Sequence, residues 1–248
     1  MRPIGFSTGA LAYSDFRHAL EILRRVQKGG VELSALRERE LSPLVESLDS
    51  LDLGFFTYVS FHAPSKFERG HEQEVITLLR RVAARGIPII LHPDAINDVS
   101  SWRSFGSVLL IENMDKRNAI GRTERELSEV FAVLPEAGLC FDIGHCRQVD
   151  PTMNESYLIL RKFRERLRQL HVSEVNSRST HDPLSQASIC AFEKVAYLIP
   201  EEVPVILESP VGSSGIQSEV EKARLALPVG PPTIAANSNH GAWRNALA

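Results

Sequence analysis

Leu139-Cys140-Phe141-Asp142-Ile143-Gly144-His145 carries an apolar run straight into an acid, a glycine and a histidine. In a parallel sheet covered on both faces, a strand reads as an unbroken apolar run, and its carboxyl end opens into the loop where ligands bind. Asp142 closes this run. His145 follows three residues later, past Gly144, whose missing Cβ permits a sharp turn that returns the imidazole towards the carboxylate. The stretch reads as a strand delivering a site, and the chain repeats the device elsewhere: a short apolar run, then one His, Asp or Glu at its end.

Working towards the amino terminus, Val108-Leu109-Leu110-Ile111 ends at Glu112-Asn113, and Ile87-Pro88-Ile89-Ile90-Leu91 ends at His92-Pro93. The aromatic and β-branched run 55–61 ends at His62-Ala63-Pro64, where proline forbids the strand from continuing. Earlier strands fall at Val31-Glu32-Leu33-Ser34 and Pro3-Ile4-Gly5-Phe6-Ser7, the latter with Thr8-Gly9-Ala10 as its exit loop. Towards the carboxyl terminus, Leu167-Arg168-Gln169-Leu170 leads to His171, and Val203-Pro204-Val205-Ile206-Leu207 ends at Glu208.

Helical spacing of apolar residues fills the intervals. A helix capped at Ser14-Asp15 runs through Phe16, Leu20 and Leu23 to Gly29-Gly30, and Arg37-Glu38-Arg39-Glu40 is a solvated charged face before Leu44 and Leu48. Further helices cover 72–85, 99–105, 123–134, 151–163, 184–199 and 216–227, with Thr123 and Glu126 as a capping box. Eight strands alternate with eight helices, which predicts an α/β fold closed into a single (β/α)8 TIM barrel over residues 1–227. An open doubly wound sheet is the rival architecture. Residues 228–248, with Pro228, Gly230, Pro231 and Pro232, have the composition of a loose tail.

The chain's 248 residues, 43% hydrophobic and 24% charged, suit one globular domain. A net charge of −3 argues against a nucleic-acid-binding surface. Cys140, Cys146 and Cys190 form neither a CxxC pair nor an even disulfide framework, so a reducing cytoplasm is the expected location. Pro3 interrupts the start in a way foreign to a secretory signal, and no apolar run approaches the roughly 20 residues of a membrane helix.

In a closed barrel, His62, His92, Glu112, Asp142, His171 and Glu208 end strands three to eight and converge on one mouth. Carboxylates and imidazoles crowded there would repel and desolvate one another unless a cation neutralised them. A mixed set of this kind suits a divalent Mn, Zn, Co or Fe ion, with Mg less favoured. Cys146 has no positioned base to make it a nucleophile, and Glu32 reads as a structural acceptor for a loop N–H or an arginine. Gly212-Ser213-Ser214-Gly215, after the last strand and before a helix, stands where many barrels hold a phosphate.

The ordered motifs Ser60-Phe61-His62-Ala63-Pro64, Leu91-His92-Pro93, Leu110-Ile111-Glu112-Asn113, Phe141-Asp142-Ile143-Gly144-His145, Leu170-His171-Val172 and Ile206-Leu207-Glu208 resemble the xylose isomerase-like barrel superfamily. Its members include sugar and sugar-phosphate isomerases and epimerases and the endonuclease IV type of apurinic-site endonuclease. The isomerase resemblance implies one metal held by Glu112, Asp142, His171 and Glu208. Glu112 and Glu208 would also act as catalytic acid and base on an enediolate route, with His145 and Arg178 holding substrate oxygens. The endonuclease resemblance implies up to three ions, adding His62, His92, His145 and His181. Ser179, however, stands where that pattern has an aspartate, which puts the third site in doubt. Short loops, with Lys116, Arg117, Arg147 and Arg178 as the basic residues near the mouth, suit a small sugar or sugar phosphate better than duplex DNA.

Overall fold

The computed structural model describes residues 2–13, 15–26 and 29–228. Of the expected features, Ser14 as a cap and the tail beyond Pro228 lie outside the described residues.

Among the described residues ten strands are present: β1 (Ile4–Ser7), β2 (Gly30–Ser34), β3 (Tyr58–His62), β4 (Ile89–Leu91), β5 (Leu109–Glu112), β6 (Gly138–Asp142), β7 (Leu167–Val172), β8 (Glu174–Val175), β9 (His181–Asp182) and β10 (Val205–Leu207). β1 to β7 and β10 pair in parallel and close on themselves, β10 lying between β7 and β1. The architecture is a closed eight-stranded parallel barrel with flanking helices, so the open-sheet alternative falls. Closure between β1 and β2 needs Gly5, because a Cβ there would meet the Gly30 carbonyl oxygen at 1.8 Å.

Alternation along the strands divides the molecule in two. Val31, Leu33, Phe61, Ile89, Leu91, Leu109, Ile111, Leu139, Phe141, Leu170, Val172, Val205 and Leu207 face outward and join the helices in one continuous core. The intervening residues face the barrel axis, where Ile90, Leu110 and Cys140 form only a small separate apolar cluster. Trp102 belongs to the outer layer, fully buried against Phe105 and donating to Glu72 Oε1 at 2.9 Å.

Three local expectations are corrected. Thr8-Gly9-Ala10 begins a short helix (Thr8–Ala12) and is not an open loop. β3 begins at Tyr58 and not Phe55, since Phe55 and Phe56 turn inward to pack on each other. The capping box at Thr123 is half formed: Thr123 accepts from Glu126 N–H at 3.2 Å, but the Glu126 carboxylate turns to Arg122 instead of the cap residue. No helix among the described residues is long and apolar enough to cross a membrane.

Candidate metal centre

His62, Glu112 and Asp142 are the last residues of β3, β5 and β6; His92 and Glu208 follow β4 and β10 directly; His171 is the penultimate residue of β7. The topology therefore brings all six to the carboxyl end of the barrel. Ligand atoms of Glu112, Asp142, His171 and Glu208 lie within 4.8 Å of one another. So do those of His62, His92 and Glu112, and those of His62, His171 and Glu208.

Glu112 is the hub. Its Oε2 lies 3.1 Å from His62 Nε2 and 3.3 Å from His92 Nε2, and its Oε1 3.3 Å from His171 Nδ1 and 3.4 Å from His145 Nδ1. Burial alone would raise its carboxyl, but His171, His92 and His145 outweigh it and hold the group well below the usual carboxylate range.

Hydrogen bonds on the far sides of the rings decide what faces this hub. The Ala63 carbonyl can only accept, so His62 Nδ1–H donates to it at 2.7 Å and Nε2 turns its lone pair on Glu112. The Glu32 carboxylate likewise accepts from His171 Nε2–H at 3.0 Å, leaving Nδ1 bare among Glu112 and Glu208 at 3.3 and 3.6 Å. Lone pairs facing carboxylates at these distances need a proton or a cation between them. His171 Nδ1 and Asp142 Oδ2 are buried atoms without a hydrogen-bond partner, and both belong to the quartet. Orphaned buried acceptors are costly, so the donor set fits a divalent ion.

Without an ion, protons make up the deficit. Burial opposes charge on His145, yet Asp142, Glu112 and Glu208 raise its pKa to about 10, and Glu112 and Glu32 raise His62 to about 8. Burial, aided by Glu208 and Glu112, raises Asp142 to about 6, and burial also pushes Glu208 above the ordinary glutamate value.

Neighbours that are not ligands fix the quartet. Asn113 brackets the Asp142 backbone, accepting from its N–H and donating to its carbonyl, both at 2.8 Å. Asp142 Oδ1 caps the short helix Ile143–Val149 by accepting from His145 N–H at 2.6 Å. The expected return of His145 towards Asp142 is thus present, with Nδ1 3.5 Å from Oδ2, but a helix start produces it and not a sharp turn. Gly144 is needed for clearance: a Cβ would meet the Ser173 carbonyl oxygen at 2.5 Å.

His181 stands on the small antiparallel hairpin of β8 and β9, its ring 5.4 Å from that of His145 and its Nδ1 3.6 Å from Glu208 Oε2. Ser179 Oγ bonds Gln148, and Arg178 is exposed at the hairpin turn. A cavity of about 840 Å³ opens over the centre, and His62, His92, Glu112, His145, His181 and Glu208 line it. Its cationic rim is Arg37, Lys66 and Arg117. Arg178, Arg147 and Gly212-Ser213-Ser214-Gly215 lie outside that lining, Arg147 being paired with Glu174. Cys146 is buried, which pushes its thiol up to about 12.

Beneath the mouth, Glu32 is the structural acceptor expected of it, but its donors differ and Ser60 and Gln169 were not singled out. Glu32 serves no loop; fully buried inside the barrel, it accepts from Ser60, Gln169 and His171. The available signal was spacing: Ser60 and Gln169 stand two residues before His62 and His171, hence on the same face of their strands.

The fold is that of the xylose isomerase-like TIM barrels. The chain resembles endonuclease IV from Thermus thermophilus, with a TM-score of 0.58 at 17% identity over 91% of this chain and 98% of that one. The 3-keto-D-glucoside 4-epimerase YcjR from E. coli aligns with a TM-score of 0.54 at 12% identity over 91% and 99%. A xylose isomerase-like TIM barrel protein from Mycobacterium smegmatis, in complex with magnesium, gives 0.59 at 12% over 92% and 98%. No protein-family model matches the chain, and no curated protein does. At these identities the likeness establishes the barrel alone, and function has to be argued from the site.

Proposed function

We propose that the protein is a divalent-metal-dependent isomerase or epimerase acting on a small sugar, sugar phosphate or related polyhydroxy acid. The observation that carries this reading is the pair of orphaned buried acceptors, His171 Nδ1 and Asp142 Oδ2, set among Glu112 and Glu208 at the mouth of the barrel. The mouth's volume of about 840 Å³ is that of a small-molecule site. Mn, Zn, Co or Fe suits the mixed ligand set, with Mg less favoured. When bound, the ion supplies positive charge against the negative charge that develops as a proton leaves carbon beside a carbonyl.

Glu112 and Glu208 are unequal partners in moving that proton. Four imidazoles hold Glu112 ionised and make it the firmer ligand and the weaker base. Glu208 keeps some exposure, 11% of its side chain, and lines the cavity, which leaves it the freer of the two to act as a base on substrate. An isomerase would return the proton from Glu208 itself; an epimerase would need Glu112 in its acid form on the opposite face, which the imidazoles around it oppose. His145 lines the cavity with Nδ1–H donated to the Asn113 carbonyl at 3.1 Å, which leaves Nε2 for a substrate oxygen. Arg37, Lys66 and Arg117 would meet an anionic group within the mouth. Arg178 and Gly212-Ser213-Ser214-Gly215 would serve a substrate long enough to reach past Pro210.

The trio His62, His92 and Glu112 favours a second reading, in which these residues would hold a second ion beside the quartet's and the pair would supply the charge stabilisation that hydrolysis of a phosphoester, abasic-site DNA included, requires. Turnover of a sugar and sugar-phosphate panel in D2O separates the two. The isomerase reading expects deuterium at the abstracted carbon and a rate about 10²–10⁴-fold lower in Glu208→Gln. Turnover without deuterium, or a full rate in that variant, overturns it. Phosphoester cleavage with two ions per chain would establish the hydrolase instead.

A further inference from the structure

One ionised group inside the barrel takes no direct part in the site described above. Glu32, on β2, is fully buried, and its Oε2 gathers three donors: Gln169 Nε2 at 2.7 Å, His171 Nε2 at 3.0 Å and Ser60 Oγ at 3.1 Å. Its Oε1 has no hydrogen-bond partner. Tyr58 locks the arrangement from below by donating to Gln169 Oε1 at 2.7 Å, so the amide must turn its N–H towards Glu32. A buried carboxylate with one unsatisfied oxygen is an expensive way to tie strands together, and a neutral acceptor of the same shape would do so at less cost.

The contact with His171 gives that cost a use. A histidine presents a lone pair to a metal only from its unprotonated nitrogen, and a hydrogen bond on the other nitrogen selects which one that is. Gln169 Nε2 also lies 2.9 Å from His171 Nε2, a contact that would suit the opposite tautomer. That tautomer would set a bare Nε2 against the Glu32 oxygen at 3.0 Å and leave an N–H on Nδ1, pointed into the ligand quartet. Donation from Nε2–H to the carboxylate avoids both faults.

We propose that Glu32 is a positioning residue for the metal centre: it fixes His171 as the Nε2–H tautomer, so that Nδ1 faces the ion, and places a buried negative charge directly behind that ligand. The proposal rests on the metal reading of the quartet and adds a further charged group, contributed from across the barrel, to what decides its affinity.

Two substitutions in the full-length chain separate the parts of this role. Glu32→Gln keeps an acceptor oxygen and removes the charge; Glu32→Leu removes both. With cobalt(II) as the probe, titrated against a competing chelator and followed by its visible absorption, each variant should bind more weakly. The expected loss is about 10-fold for Gln and towards 100-fold for Leu, the range found when such outer partners are removed. Histidine 15N spectra of the zinc-loaded wild type should show His171 protonated at Nε2 alone, and the melting temperature of metal-free Glu32→Gln should match or exceed the wild type. A merely structural hub predicts the reverse pattern, a lower melting temperature with unchanged cobalt affinity, and that result overturns the proposal. So does a His171 that lacks its Nε2 proton in the zinc-loaded wild type. If Glu32→Leu does not fold, Glu32→Gln and the wild-type spectrum decide alone. A folded wild type that takes up no cobalt removes the metal centre and this proposal together, whereas wild-type uptake with equal uptake in the variants removes only the role of Glu32.

Discussion

The two sides of the barrel mouth are built to different standards. On the side of β5, β6, β7 and β10, the ligand candidates are braced by residues that are not themselves in the quartet: Asp142 by Asn113, and His171 by Glu32. On the side of β3 and β4, His62 is held by the carbonyl of its own neighbour Ala63, and His92 keeps 15% of its side chain exposed. Glu112 joins the two sides through one oxygen each. The difference teaches that Asp142 and His171 are held in place by their surroundings, as the proposed ion site requires. The histidine pair is looser, suited to a second, more exchangeable ion or to substrate.

Removing Asp142 should break the comparison most severely. Asp142→Ala deletes a ligand and also the cap that fixes His145, so bound divalent metal should fall by more than the roughly 100-fold typical of losing an outer partner. Elemental analysis of the purified variant checks this, and an unchanged metal content would remove the quartet from consideration.

A smaller effect is expected across the mouth. His62→Ala and His92→Ala should each leave one tightly held ion per chain, because neither histidine is a member of the quartet. Metal stoichiometry read alongside the Asp142→Ala result sharpens the contrast. Loss of all metal from either variant would show that the two clusters form one indivisible centre.

The gentlest test is pH. In the metal-free protein His62 and His145 titrate near 8 and 10, above their unfolded value of about 6.5. A raised histidine contributes stability that is complete below the unfolded pKa and is lost as pH climbs through the folded one. Asp142, raised to about 6, acts in the same direction at lower pH, and the depressed Glu112 opposes it only under acid conditions. The metal-free melting temperature should therefore fall between pH 6.5 and 10. Bound ion replaces those protons, so the gap between loaded and metal-free melting temperatures should widen over the same interval. A gap that stays constant with pH would mean that the imidazoles do not compensate the carboxylates.

Sequence alone determined the barrel and the membership of its mouth. Both are local properties: an apolar run of strand length, a helix-spaced interval and a polar residue at the run's end can be read without knowing what lies opposite. His62, His92, Glu112, Asp142, His171 and Glu208 were legible in that way. The braces were not. Glu32 sits in an apolar-looking strand 139 positions from His171 in sequence, and Gln169 111 from Tyr58. Nothing in either segment reveals that closure of the sheet sets them side by side. The cationic rim of the mouth was hidden too, since Arg37 read as part of a solvated charged face until a bridge between its loop and that of Lys66 drew the two to one rim. A strand's period of two tells which residues share a face. Only the closed barrel, by turning those faces inward on one axis, decided which of them meet, which rings are left with a bare nitrogen, and where a cation is required.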